Sequence, residues 1–422
     1  MCQDFRDMVP GAVGRGRKPE LLVPAGDLEK LRTALRFGAD AVYVGMSRFG
    51  LRAMAGNFSP EQLKLARKLC RDAGCKLYLT LNAYLQPDEI PLLEQTLEEL
   101  RPLELDAYIV SDPGVLATVG RIDPERVIHL STQANTCNPA AAEFWREQGV
   151  SRINLARELS LDHVRKFRAG TKVELEMFVH GAMCVAISGR CLLSAALTGR
   201  SANRGACTHP CRWSYRLTEA TRPDAPLTLE EDERGSYLFN SRDLCLLENV
   251  PEILAAGVNS LKIEGRMKSR YYVAAVTRVY RAALDRWLSD PDQWQVAPLW
   301  REELDRVSHR PYGTGFLTGT GDPQVHAADS HYQRIYDFIG VVLERFADGR
   351  CLVEGRNRFF PGEAIEVIGP EMRQEQLRVG EVKREDRSPL EVVQPNARCV
   401  MALPDWVGEG DLLRREKPAE DC

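Results

Sequence analysis

The stretch ELLVPAGDLEKLRTALRFGADAVYVG, residues 20–45, decides the fold. It opens on an apolar run, ELLVPA (20–25), and closes on another, DAVYVG (40–45). Between them DLEKLRTALRFG sets Leu28, Leu31 and Leu35 on one helical face, and Gly38 ends it. Such a strand–helix–strand unit predicts two parallel strands joined by a crossover helix. The same texture repeats downstream, in KLYLTLN (76–82), DAYIVS (106–111), RVIHLST (126–132), RINLA (152–156), VELEMFVH (173–180) and SLKIEG (260–265). SPEQLKLARKLCRDAG and DEIPLLEQTLEELRP read as helices between strands, the first with Ser59 as N-cap and Pro60 as first helical residue. Eight strands at regular spacing, with no Gly-rich dinucleotide fingerprint, predict a TIM-like (β/α)8 barrel over residues 20–325 rather than an open doubly wound sheet.

The rhythm breaks once. Residues 181–258 separate strands seven and eight where roughly two dozen residues would suffice. This insertion leaves the C-terminal end of a strand, the face on which barrel active sites are built. It carries Cys184, Cys191, Cys207 and Cys211 in a C-x6-C-x15-C-x3-C spacing, and Cys245 follows. The chain has 12 cysteines but no apolar h-region in its first residues and no apolar run of the roughly 18–20 residues that span a bilayer. A reducing, cytoplasmic setting is therefore expected, with no membrane partner, and thiols there point to metal or redox chemistry rather than disulfides. Tight C-x2-C knuckles of structural zinc sites are missing, so an iron–sulfur cluster is favoured over zinc. Cys70, Cys75, Cys137, Cys351 and Cys399 read as small buried hydrophobes.

Residues 1–19 read as a disordered lead. From residue 334 to 416 short alternating strands (DFIGVVLERF, RCLVEGRN, EAIEVIG, RVGEVKRE, CVMALP) predict a small C-terminal β-barrel. The net charge of −4 gives no overall basic character, although a local basic patch stays possible within such a sum. Arg190, Arg200, Arg204 and Arg212, with Trp213 and Tyr215 alongside, suit phosphate contact and base stacking.

The run from Glu176 to Ser194, EMFVHGAMCVAISGRCLLS, resembles the signature of the U32 peptidase family of collagenase-like proteases. LLVPAGDLEKLRTALRFGADAVYVG, STQANTCN, FNSRDLC and SLKIEGRMKS extend the resemblance over roughly residues 20–320. The likeness is greatest to the branch that hydroxylates the wobble uridine of tRNA to 5-hydroxyuridine, drawing on prephenate. It implies a 4Fe-4S cluster, tRNA and prephenate as partners, and Cys184, Cys191, Cys207 and Cys245 as ligands, with Cys211 as the alternative fourth thiolate. Two further readings stand beside it. One is a peptidase, although H-E-x-x-H and G-x-S-x-G are missing. The other is a non-catalytic RNA-binding protein with a structural cluster.

Other residues are singled out by type and position. His180 ends strand seven and suits a proton donor. Glu174 and Glu176 share a face of that strand, so Glu176 is a candidate catalytic carboxylate, with an ion pair to Lys262 or Arg266 as the plain reading. Lys262, Glu264 and Arg266 alternate along strand eight and suit a dicarboxylate, Arg266 first. Gln133 and Asn135 follow strand five and suit a base edge or a carbonyl, or a turn.

Overall fold

Residues 18–52, 55–184, 187–212, 231–232, 235–236, 242–319 and 335–417 are described by a computed structural model of the chain. Most of the expected N-terminal lead, Trp213 and Tyr215 lie outside the described residues. Strands β1 (Glu20–Pro24), β2 (Ala41–Gly45), β3 (Lys76–Leu81), β4 (Ala107–Val110), β5 (Ile128–Leu130), β6 (Val150–Asn154) and β7 (Glu174–Ala182) pair in sequence order, all parallel. After β7 come a two-strand ribbon, β8 (Glu231–Asp232) and β9 (Gly235–Ser236), and then β10 (Asp243–Cys245). Strand β11 (Ser260–Ile263) closes the ring: Leu261 pairs with Leu21 of β1 on one side and Met177 of β7 on the other. The eight-stranded parallel barrel expected from the strand rhythm is therefore present, with β11 as its eighth strand.

Helices α1 (Leu28–Arg36), α2 (Pro60–Asp72), α3 (Ile90–Leu100), α4 (Pro113–Ile122), α5 (Pro139–Glu147) and α6 (Leu161–Ala169) follow the first six strands. Their starts obey the local rules. Asp27, Asp112, Asn138 and Ser160 each accept a hydrogen bond from the first turn, and Ser59 and Gln62 form a reciprocal capping box. The insertion contributes α7 (Leu193–Thr198), α8 (Val250–Ala255) precedes β11, and α9 (Arg270–Ser289) and α10 (Pro298–Asp305) follow it. Among the described residues no helix is long and apolar enough to cross a membrane.

The barrel lumen is divided by chemistry. Leu22, Ala41, Tyr43, Tyr78, Ala107 and Ile109 form an apolar cluster. Across from it, buried Glu176 accepts a hydrogen bond from Lys262 Nζ at 2.7 Å, and Arg152 bonds both Glu20 and Glu174. The ammonium of Lys262 lies over the Tyr43 ring, 4.7 Å from its centroid. Each of these buried groups meets a partner of opposite charge, which offsets part of the cost of taking it out of water.

The C-terminal unit is a six-stranded antiparallel curled sheet with its own core. After the short β12 (Tyr312–Gly313) it comprises β13 (Tyr336–Arg345), β14 (Arg350–Gly355), β15 (Ala364–Ile368), β16 (Gln374–Arg378), β17 (Arg398–Ala402) and β18 (Leu412–Glu416), ordered β16-β15-β18-β13-β14-β17. Two details differ from expectation. RVGEVKRE is mostly irregular after Arg378, and the central strand β18, LLRRE, is unforeseen. Its charge-rich pattern does not read as a strand, because what holds Arg414 there is a partner on the barrel.

That partner is Glu303 of α10. Its carboxylate accepts from Arg414 Nη1 and Nη2 (2.9 and 2.7 Å) and from Arg278 Nε of α9 (3.0 Å), all three side chains being fully buried. Arg278 also reaches across to the carbonyls of Gly369 and Arg373 and to Gln374 Oε1, and Arg414 Nε bonds Glu366. Arg36–Asp411 and Arg356–Glu29 tie the units again at the rim. Glu303→Ala would strand two guanidinium groups in the interior. We expect a loss of about 3–5 kcal/mol, read by urea unfolding, with both units losing structure in one transition.

Candidate active site at the barrel mouth

Strand β7 runs past the barrel, and its last residues pair antiparallel with β10: Asp243 opposes Ala182, Leu244 opposes Gly181, and Cys245 opposes His180. On its other edge the register with β11 shifts, so that Lys262 faces Phe178 but Ile263 faces His180. Val179 is the extra residue of this β-bulge, and its carbonyl accepts from Tyr280 Oη (2.8 Å) and Leu246 N–H (2.9 Å). A bulge reverses which residues face in. Phe178 stays in the lumen beside Lys262 and Arg157. His180 instead turns to the rings of Tyr272, Tyr280 and Tyr312. Gly181 follows at φ +110, where a Cβ would strike the Glu264 carbonyl at 2.4 Å.

Above this point lies a cavity of about 900 Å³. One wall is the insertion. Cys184, Cys191, Cys207 and Cys211 all line it. Short turns over residues 187–189, 202–204 and 210–212 surround α7 and carry the loop. Backbone N–H groups of Leu193 and His209 point at the sulfurs of Cys191 (3.4 Å) and Cys207 (3.3 Å). Asn203 Oδ1 accepts from Cys191 N–H, and Arg204 pairs with Glu89 and the Tyr84 carbonyl. Arg204, expected at an RNA surface, is thus an anchor between the insertion and the β3–α3 loop. Arg190, on the cavity wall, donates to the Gln133 carbonyl, and Arg200 is exposed.

The opposite floor is ionic. Glu264 stands between Arg52 (3.6 Å) and Arg157 (4.0 Å). Burial works against its charge, but Arg52, Arg157, Arg266 and Lys262 prevail and hold the carboxyl below the usual range. Glu264 in turn raises Arg52. Among the described residues, Arg52, Arg157, Arg190, Lys268 and Arg356 line the cavity with the carboxylate of Glu264, and Arg356 and Lys268 also meet carboxylates outside the lining, Glu29 with Glu354 and Asp243. Arg52 and Arg157 are the cations turned to Glu264.

Cys184, Cys191, Cys207, Glu264 and Gln133 therefore share one cavity. The other expected site residues do not reach it. Glu176 and Lys262 are the ion pair in the lumen below. Arg266 is buried: Nη1 donates to Thr80 Oγ1 (2.8 Å) and Nη2 to the carbonyls of Leu51 and Arg52, and the guanidinium lies where a Cβ on Gly45 would be. It positions Arg52 rather than lining the cavity. Asn135 caps a turn at φ +54, as its plain reading had it. Cys245 is not among the cavity-lining residues. It sits half-buried at the end of β10, where the Leu247 N–H and Tyr280 reach its sulfur, and desolvation pushes its thiol up to about 11. The physical cause is the β7–β10 pairing, which keeps Cys245 with His180 behind the bulge. Arg52, Arg157, Lys268 and the wall aromatics were not foreseen. Arg52, Arg157 and Lys268 stand on loops, Tyr271 and Tyr272 at a helix start, and Tyr336 and Phe338 on β13 of the other unit, where no sequence period links them to the barrel mouth.

The profile of Peptidase family U32 matches residues 26–327, and that of the Peptidase family U32 C-terminal domain matches residues 334–414. The chain belongs to peptidase family U32. A tRNA hydroxylation protein P1 of Bacillus subtilis (strain 168) is 38% identical over 404 residues, 95% of this chain and 96% of that one. A collagenase of Porphyromonas gingivalis (strain ATCC BAA-308 / W83) is 34% identical, over 95% and 99% of the two chains. A 23S rRNA 5-hydroxycytidine synthase of Escherichia coli (strain K12) is 39% identical over 63% of this chain and 39% of its own length.

A four-iron cluster fits the thiol wall by donor chemistry. Among the described residues no three Cys, His, Asp or Glu side chains draw together on a single ion. A cluster is instead ligated at its separate corners, and N–H···S contacts of the kind seen at Cys191 and Cys207 are the usual companions of its thiolates.

Burial holds His180 neutral, lowering its imidazole to about 3, and lowers His129 well below its ordinary value. The unfolded imidazole takes up a proton near 6.5 and the folded one does not. The corresponding stability is complete above that pH and is lost as pH falls towards 3. His180 alone accounts for about 2 kcal/mol by about pH 5. Urea unfolding at neutral pH and at about pH 5 should show this loss, and His180→Gln should flatten it.

Proposed function

We propose that this chain hydroxylates tRNA, converting the wobble uridine to 5-hydroxyuridine with a prephenate-derived donor and a 4Fe-4S cluster held by Cys184, Cys191, Cys207 and Cys211. The observation that carries this reading is the cavity itself, in which four thiols and five cations face one space at the C-terminal mouth of the barrel. The names of two relatives, one acting on tRNA and one yielding a 5-hydroxypyrimidine in rRNA, support the reaction class. Cys211 lines the cavity with the other three thiols, which supports it as the alternative to Cys245 for the fourth ligand.

When bound, such a cluster supplies one-electron or Lewis-acid chemistry. The chain's own residues bind and orient. Arg52 and Arg157 present guanidinium groups already turned to a carboxylate, so a dicarboxylate donor can enter by sharing them with Glu264. Glu264 stays ionised and limits the anions admitted. Arg266 holds the 51–52 loop, so its loss should act through Arg52.

Protein purified without oxygen is expected to hold about four irons and four sulfides per chain and to form 5-hydroxyuridine in tRNA when given prephenate, read by nucleoside mass spectrometry. Gelatin cleavage with unmodified tRNA would overturn the reading in favour of a peptidase. Zinc without sulfide would overturn the cluster. Cys211→Ala should lose most of its iron and all hydroxylation, whereas Cys245→Ala keeps its iron. The reverse result would return the fourth ligand to β10.

A further inference from the structure

The aromatic wall of the cavity is shared by the two units. Among the described residues, the Tyr and Phe side chains lining it belong to the start of α9 (Tyr271, Tyr272) or to β13 (Tyr336, Phe338), and the turn after β14 adds Arg356 and Asn357. We propose that this wall is the nucleotide subsite: Phe338 and Met267 receive the out-turned target base, and Asn357 receives its edge. The proposal rests on the tRNA-modification reading and assigns the C-terminal sheet a direct part in substrate binding.

Several observations carry it. The Phe338 ring is parallel to Tyr271 (10°, centroids 6.2 Å apart) and only half-buried, so one side is backed and the rest is open to a base. Met267, on the same cavity, is 49% exposed despite its apolar side chain. Stacking on aromatic and thioether surfaces is how unpaired bases are held, and it tolerates no distance, so the platform must be rigid. Rigidity is supplied by Glu303. Its two arginine partners lock β18 to α9 and α10, and Arg414 Nη1 also bonds Tyr271 Oη (2.8 Å), which supports the Phe338 stack. Arg356 Nη2 is shared by Glu29 (2.6 Å) and Glu354 (3.0 Å), which fixes the guanidinium at the edge of the cavity beside Asn357. Asn357 Oδ1 accepts from the Arg358 N–H (2.9 Å), a contact that sets the direction of its amide. A cavity of about 900 Å³ has room for a nucleotide beside a small donor.

The test uses the full chain. Phe338→Ala, Met267→Ala and Asn357→Ala are compared with wild type for KM towards tRNA, KM towards prephenate, iron content and thermal unfolding. Expected is a rise in KM for tRNA on the order of tenfold for each variant, with prephenate KM and iron content unchanged. Phe338→Ala risks the packing against Tyr271, so Met267→Ala and Asn357→Ala, at solvent-facing positions, decide the matter if its melting falls. Binding of a short single-stranded uridine-containing RNA, followed by fluorescence anisotropy, gives a readout that needs no turnover. Weaker binding by the folded variants supports the wall. Binding and tRNA KM equal to wild type overturn it. Wild-type protein that never modifies tRNA would sink the parent reading instead, and the anisotropy comparison would still decide the wall.

Discussion

Strand β7 serves two structures at once, and the site depends on that double duty. Its first residues complete the barrel between β6 and β11, while its last three pair with β10 outside the ring. A strand cannot bend from one partner to the other with its alternation intact. The extra residue at Val179 absorbs the mismatch, and the Tyr280 hydroxyl and Leu246 N–H satisfy the carbonyl it leaves over. The bulge decides which side chains face the cavity. It sends His180 and Cys245 behind the wall and leaves Cys184 at its edge, where the insertion begins.

Charge is handled differently at three depths. In the lumen, Glu176–Lys262 and Glu20–Arg152–Glu174 are ion pairs, with Arg152 also 3.6 Å from Glu176. Such groups specify packing, and removing one partner costs more than the pair contributes. At the mouth, two guanidinium groups, Arg52 and Arg157, flank the one carboxylate of Glu264. Between the units, the Glu303 cluster is closed again. Its function is mechanical, in that it turns two separately cored units into opposite walls of one cavity.

Histidine and cysteine at a strand end suggest chemistry by type alone, and burial shifts both here. His180 is held neutral by its desolvated aromatic surroundings, and the Cys245 thiol is pushed up for the same reason. Cys207, on the cavity wall, is shifted the same way by its own burial, and Cys191, Cys207 and Cys245 each take a backbone N–H at sulfur.

Local pattern was enough for the barrel. Apolar runs of period two, amphipathic helices with Ser, Asp and Asn caps, and regular spacing determine a parallel (β/α)8 ring, because each unit satisfies its own backbone and needs only its neighbours. The cysteine-rich loop and its attachment to the catalytic end of β7 were equally legible, since the break in rhythm is itself a sequence signal. Alternation failed at His180, because a bulge is set by the competing demands of β10 and β11 and not by the residues of β7. Glu176 pairs with Lys262, as its plain reading had it, whereas Arg266 is held by Thr80 and the carbonyls of Leu51 and Arg52, which no local pattern announces. The central strand β18 was invisible because its arginine is held by Glu303, 111 residues away. Which thiol, which arginine and which aromatic ring reach the cavity is a matter of long-range pairing and burial, and those energies do not exist until the chain has closed.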